Sequence, residues 1–590
     1  VRRLPALAFA ALVVATVGAF FVTQHLKSST PLYAGFPRPK PQWINPRNGR
    51  ACDGVSHRYT KISFYLLHRA DDVDVYIVNS AGAIVRTVAS GRHMRIRVRR
   101  PDGEFEWDGR TDSGRVAPDG VYHFRVALRQ QGRTVQLAQP VIVETVPPHP
   151  RVTSVTPALI PQGTTPVRIR YRGNEHRAGT LLVYRTDVSG TPRVVDSFPT
   201  DPRVPATWDG LVAGRPAPAG TYLMGLQVVD RACNVGRFPS SLPPAPGSTP
   251  HAGVTVRYLA AQPPMAPVAA GSRALVWVDS RQHFYRWTLT RVGARRPVAH
   301  GTDRAVALHV RLPRSPGAGL YELSLRSGAH RTTVPLVAHA ATPGPHVLVV
   351  LPAITWQGLN PVDDNGDGMP DTLTAGGPIR LTRPLANGLP AGFEDEAALL
   401  AYLDHAHLPY DLTTDIGVIN GVGPALSGHT GVVLAGAQRW TALAFGAGLR
   451  TFVSRGGRLA SFGVDTLRSG VRVSGKIASS PSGLASTDLF GVAAASLARS
   501  HDLITVIRDN LHIFATTSGA FPGFTTFQPL HAPRPPASAA GTSSATTSII
   551  GVPVGRGTLV EVALPGFGTA VTRNVDAQEF LGSLWTFLRR

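Results

Sequence analysis

The sequence predicts a multidomain chain: an N-terminal transmembrane helix, about three β-sandwiches, and a C-terminal three-layer α/β domain. Three observations predict it. An uncharged apolar run occupies Leu4–Val22. A W-D-G…P-x-G-x-Y pattern occurs twice, about one hundred residues apart. After residue 343 the strand-like segments change from alternating to continuously apolar.

The apolar run follows Arg2 and Arg3. At ~1.5 Å rise per residue it reaches roughly 28 Å, close to the thickness of a bilayer core. The arginines favour a cytoplasmic N-terminus, which exports everything downstream. A cleaved signal peptide is the competing reading, with Val17-Gly-Ala19 as its cleavage site, but Phe20-Phe21-Val22 carries the apolar run past it. The expectation is an uncleaved anchor over residues 1–27: a single-pass protein of the cell membrane, with the bulk of the chain extracytoplasmic. Residues 28–45, with Pro31, Pro37, Pro39 and Pro41, read as a spacer.

The repeat comes next. Trp107-Asp108-Gly109 is followed by Pro118-Asp-Gly120-Val-Tyr122, and Trp208-Asp209-Gly210 by Pro218-Ala-Gly220-Thr-Tyr222. Asp-Gly supplies a tight turn, tryptophan a large anchor between sheets, and tyrosine the opening of the next strand. The period has the size of an immunoglobulin-like sandwich. Core packing of the tryptophans is expected, with a carbohydrate-binding platform as the alternative. The repeat resembles the FlgD-type Ig-like domain, common in exported bacterial proteins, over residues 46–245. The resemblance implies a β-sandwich spacer. Its two copies are placed at 46–147 and 148–248. A third sandwich, 249–343, rests on Ala274–Val278, Tyr285–Leu289, Ala305–Val310 and Gly319-Leu-Tyr321, without W-D-G.

The formal charge is +23, yet only four of the 60 basic residues are lysines (Lys27, Lys40, Lys61, Lys476). The arginines are dispersed. The densest run, Arg92–Arg100, alternates like one exposed strand face. A nucleic-acid partner is therefore not expected; a surface facing an acidic cell-envelope polymer, or a protein partner there, fits better. Cys52 and Cys233 each lie at the edge of a sandwich, and in an oxidising exterior they are expected to pair, with two free thiols as the alternative.

In 344–590, His346–Leu351, Gly431–Leu434, Arg458–Phe462 and Thr558–Val562 read as buried strands, with helices at 394–405, 440–454 and 576–588. Such sheets bind ligands beyond the carboxyl ends of their strands. There lie Thr355-Trp356-Gln357-Gly358-Leu359-Asn360, Leu408–Asp415 and Leu426–Leu434. Together with Gly456-Gly457 these segments resemble the C-terminal domain of the N,N-dimethylformamidase large (beta) subunit over roughly 345–470. The resemblance implies a flavodoxin/glutamine-amidotransferase-like fold and, for Thr355, Trp356, Gln357 and Asn360, a ligand-binding role. This chain departs from the family at two places. Leu359 replaces the aromatic of T-W-x-A-Y-N, and Ala435-Gly436-Ala437-Gln438-Arg439-Trp440 replaces G-H-x-E-Y-W, losing its histidine, glutamate and tyrosine.

Asp363, Asn365, Asp367 and Asp371 have the spacing of a calcium loop, with Gly368 at the sharp turn and no bidentate glutamate at Thr374. A structural Ca2+ is expected; the alternative is a polar turn without metal. Gly470–Lys476 has P-loop spacing but reads as a strand, His405 and His407 are two apart, and Ala537–Thr547 reads as a mobile loop. The chain is thus expected to present a degenerate, non-catalytic α/β domain for binding. The alternative is a metal-assisted amidohydrolase.

Overall fold

The computed structural model describes residues 4–29, 33–34, 37–47, 51–173, 178–201, 203–281, 283–315, 317–342, 344 and 346–590. Arg2, Arg3 and Pro31 lie outside the described residues. The fold is rich in strands and opens with one long apolar helix.

That helix, α1 (Leu4–Ser29), contains an apolar window at Pro5–Thr23 with none of its surface covered by the rest of the chain. Leu7, Phe9, Leu12, Val14 and Phe21 all stand exposed. Length and composition suit a membrane span or a signal sequence.

Three units then repeat one plan. In each, a short first strand runs parallel to the last strand, followed by antiparallel neighbours. The order is Trp43–Ile44, Val141–Val143, Gly120–Leu128, Asp71–Asn79, Ile84–Met94 in the first. In the second it is Leu159–Pro161, Gly253–Arg257, Gly220–Val229, Gly179–Arg185, Arg193–Thr200. The third runs Val268–Ala269, His330–His339, Gly319–Ser327, Tyr285–Arg291, Ala299–Asp303. A smaller antiparallel sheet faces each, and each unit has its own apolar core.

Trp107 and Trp208 sit in these cores, each 1% exposed, with their ring N–H groups donating to the carbonyls of Arg110 and Leu211 at 2.8 Å. The tyrosine hydroxyls of Tyr122 and Tyr222 donate to Pro118 and Pro218 carbonyls at 2.7 Å, and Tyr321 does the same to Gly317 at 3.1 Å. The corner therefore persists in the third unit without W-D-G. Cys52 and Cys233 form a disulfide across the first two units. Beside it, Asn234 donates to the Glu144 carbonyl at 3.0 Å and bonds Asn45.

Two local expectations are corrected. The Arg92–Arg100 run is strand only to Met94; Arg95 then pairs with Asp102 at 2.8 Å and Arg97 adopts a positive φ in a turn. Ala537–Thr547 is not a mobile loop. It forms the facing edges of a buried hairpin (Ser538–Ser543 with Thr546–Val554), because its small side chains let the backbone pair tightly inside a sheet.

The C-terminal region holds a mixed sheet. Strands β1 (Val347–Leu351), β2 (Tyr410–Thr414), β3 (Gly431–Leu434), β4 (Arg458–Phe462) and β5 (Gly557–Val562) are parallel in the order β2-β1-β3-β4-β5. Antiparallel strands 546–554, 538–543 and 504–509 continue it. Helices α2 (Ala353–Leu359), α3 (Phe393–His405), α4 (Leu443–Ser454) and α5 (Val575–Arg589) accompany the parallel part, α5 lying against β1, β3 and β4. Met265, Val292, Leu320 and Val337 of the third unit join the core of this region, and Arg291 holds Asp404 of α3 by two bonds of 2.9 Å.

Candidate functional site at the carboxyl ends of the parallel strands

Asp415 follows β2 directly and is fully buried. Its carboxylate accepts from the backbone N–H of Ile354 at 3.2 Å and of Ile416 at 2.7 Å, and from Gln438 Nε2 at 2.6 Å. Burial pushes its pKa up to about 7, against the pull of those donors. Glu396 of α3 accepts from Trp356 Nε1 at 2.9 Å, and burial raises its carboxyl well above the ordinary range. Glu396 lies against Gly436, where a Cβ would collide with its side chain.

Gln438, in the segment that departs from the family pattern, is 0% exposed. An amide there donates to Asp415, where a second carboxylate would repel it. Arg439 lies over the Trp440 ring at 4.9 Å, and Leu359 packs on the apolar core. No face of Asp415 or Gln438 reaches solvent.

The four residues expected to bind a ligand are turned inward, because each polar group already has an internal partner. Thr355 Oγ1 accepts from Trp440 N at 3.4 Å, and Asn360 Nδ2 donates to Gln357 Oε1 at 3.0 Å and to Pro384 O at 2.8 Å. Gln357 also donates to Arg383 O at 3.2 Å. Arg383 ties them together: its guanidinium donates to Gln357 Oε1, to the carbonyls of Gln357, Asn360, Val362 and Asp371, and to Asp364 at 2.8 Å. Sequence reasoning missed this buried arginine.

Arg383 leads into the 362–371 loop, a hairpin closed by the Val362–Asp371 bridge. Asp363 accepts from Gly366 N at 2.7 Å and Gly368 N at 2.9 Å; Asn365 donates to Asp371 at 3.1 Å. Burial, with the charges of Asp367 and Asp371 added, pushes Asp363 up to about 6. The loop is docked on the second sandwich: Gly253 N reaches Gly366 O at 2.9 Å, Thr249 Oγ1 reaches Asp367 O at 2.9 Å, and Thr186 Oγ1 reaches Gly368 O at 2.7 Å. The carboxylates of Asp363, Asp367 and Asp371 are not drawn together into one tight cluster. Among the described residues the tight acid, histidine and cysteine group is Cys52, Asp53, His57 and Cys233, whose sulfurs are spent in the disulfide.

A second acid pair lies at the ends of β4 and β5. Glu561 is within hydrogen-bonding reach of Asp488, both more than nine-tenths buried, and burial raises both carboxyls. The charge of Asp488 raises the Glu561 carboxyl further. Arg468 Nε, Thr466 Oγ1 and Asp488 Oδ2 have no partner among the described residues. They line, with Ser461 and Gln528, a cavity of about 10 Å³, room for about one water. The signal was a lone glutamate inside the apolar strand Thr558-Leu-Val-Glu561-Val.

The comparisons with known proteins meet this geometry. Residues 283–547 match the N,N-dimethylformamidase beta subunit-like, C-terminal family. Residues 53–132 match the FlgD Ig-like domain. The first match begins inside the third sandwich, which shares its core and the Arg291–Asp404 pair with the α/β region. No curated protein matches the chain. Among solved structures, a cold-adapted beta-galactosidase from Rahnella sp. R3 is 14% identical over 32% of this chain and 26% of its own length, with a TM-score of 0.24. Native alpha-2-macroglobulin from E. coli is 12% identical over 57% of this chain and 23% of its own, with a TM-score of 0.19. The FN1–FN3 domains of chicken CNTN1 are 10% identical over 48% of this chain and 94% of their own length, with a TM-score of 0.16. The chain thus spans about a quarter of the galactosidase it is compared with.

Proposed function

We propose that this chain is a membrane-anchored extracytoplasmic envelope protein. Its sandwiches hold out a three-layer, flavodoxin/glutamine-amidotransferase-like domain that binds a ligand or partner and does not hydrolyse amides. One observation carries this reading: Gln438, in the segment that stands where the dimethylformamidase-like family has G-H-x-E-Y-W, is fully buried and bonded to the equally buried Asp415. A base without access to substrate or water does no chemistry. The α1 helix and the Cys52–Cys233 disulfide support an exported chain. We further take Asp363, Asn365, Asp367 and Asp371 to hold a structural calcium ion. Their support is the desolvated, mutually repelling carboxylates on one hairpin.

The deciding experiment incubates purified protein with formamide and short N-alkyl amides, alongside metal analysis. No turnover is expected, and calcium alone. Turnover with stoichiometric iron or zinc would establish the second reading, a metal-assisted amidohydrolase. That reading draws its support from the family match and the Asp488–Glu561 pair.

A further inference from the structure

A cleft of about 620 Å³ opens where the second sandwich, the third sandwich and the α/β region meet. That is within the ~300–1,000 Å³ of small-ligand sites. Arg257, the last residue of its strand, lines the cleft, and burial depresses its pKa. Among the described residues its guanidinium has neither hydrogen bond nor ion pair.

The reason is that every nearby carboxylate is already committed. Asp279 holds Arg281 at 3.1 Å, Asp364 holds Arg383 at 2.8 Å, and Asp363 is occupied by the Gly366 and Gly368 amides. Asp187, also in the lining, is bidentate with Arg185 at 2.9 and 3.3 Å. A half-buried guanidinium that lines a cleft with all its donors unused by the protein offers a planar fork to an anion entering that cleft. Around it stand Gln162, Thr332, Thr333 and Asn387, which both donate and accept, with His330 packed on Tyr258 at 3.7 Å. Such a lining suits a hydroxyl-rich ligand.

We propose that this cleft binds an acidic saccharide unit, with Arg257 holding its carboxylate or phosphate by a forked pair of bonds and the threonines and amides holding its hydroxyls. The proposal rests on the binding reading for the use of the cleft, and it names the ligand class. Because the cleft is far from Asp415 in role and lining, the amide-hydrolysis assay tests that reading separately.

The test is calorimetric titration of the full chain in detergent micelles with three probes: a trigalacturonate, a short glycerol-phosphate oligomer, and maltotriose. Binding of either anionic probe, with Arg257→Gln weakening it at least tenfold and maltotriose silent, supports the site and tells carboxylate from phosphate. His330→Ala is a second variant should Arg257→Gln not fold; a loss of at least threefold is expected of it. Equal binding of maltotriose, no binding of either anion at millimolar concentration, or anion binding indifferent to both variants would each overturn the proposal.

Discussion

Gln438 Nε2 donates to Asp415 Oδ2 at 2.6 Å in a place that no solvent reaches. The burial of this pair makes stability depend on pH. Asp415 titrates near 7 folded and near its ordinary 3.8 unfolded. Between these values the folded state holds the extra proton, so this group's contribution to stability is full at low pH and is lost as pH rises from about 4 to about 7. The loss is on the order of 4 kcal/mol at most. Asp415→Asn should flatten that part of the denaturation profile. An unchanged slope in urea melts at pH 4.5 and 7.5 would refute a buried neutral Asp415.

Glu561 obeys the same sign. Its carboxyl is raised by burial and by Asp488, so its protonated form is the one that fits. Glu561→Gln should cost less than about 1 kcal/mol at pH 6, since it keeps shape and neutrality. It should become more stable than the parent at pH 9. A mutant weaker than the parent at both pH values would mean that a charged Glu561 is needed.

Trp107→Ala and Trp208→Ala should each cost ~3–5 kcal/mol, the range for truncating a buried aromatic. Differential scanning calorimetry reads this directly. Wild-type melting in either variant, together with loss of glycan binding, would restore the platform reading.

Reducing Cys52–Cys233 should cost about 2–4 kcal/mol by freeing the first two sandwiches in the unfolded chain. Non-reducing peptide mapping should recover the linked pair. Recovery of two alkylated thiols from unreduced protein would contradict the structure.

Calcium should raise the melting temperature by mass action, ~2.7 kcal/mol at one hundred times Kd, with Kd in the ~0.1–1 mM range of extracellular modules. Asp367→Ala should abolish the rise and leave the EGTA melting point nearly unchanged. Identical melts with calcium and EGTA would reduce the loop to a polar turn.

The sequence by itself determined what depends on local spacing. Continuous apolar runs placed α1, β1, β3, β4 and β5, and two-residue alternation together with the repeat placed the sandwich strands. The Trp…Gly-x-Tyr repeat located Trp107 and Trp208, whose size demands a core. The Cys52–Cys233 pairing was also expected from the sequence.

What only the tertiary structure decided is which distant groups meet. Ala537–Thr547 has too little apolar bulk to announce a strand, and it becomes one because small residues fit an already formed sheet. Thr355, Trp356, Gln357 and Asn360 looked available at a strand end, but Arg383, arriving from another loop, takes up Gln357 and the local carbonyls. Glu561 and Asp488 are far apart in the chain, and the Glu561 carboxyl is raised only because folding buries it beside Asp488. Arg257 looks like one arginine among many until its neighbours' carboxylates are seen to be taken. Periodicity reports the environment of one segment, whereas desolvation and pairing depend on what the other segments bring.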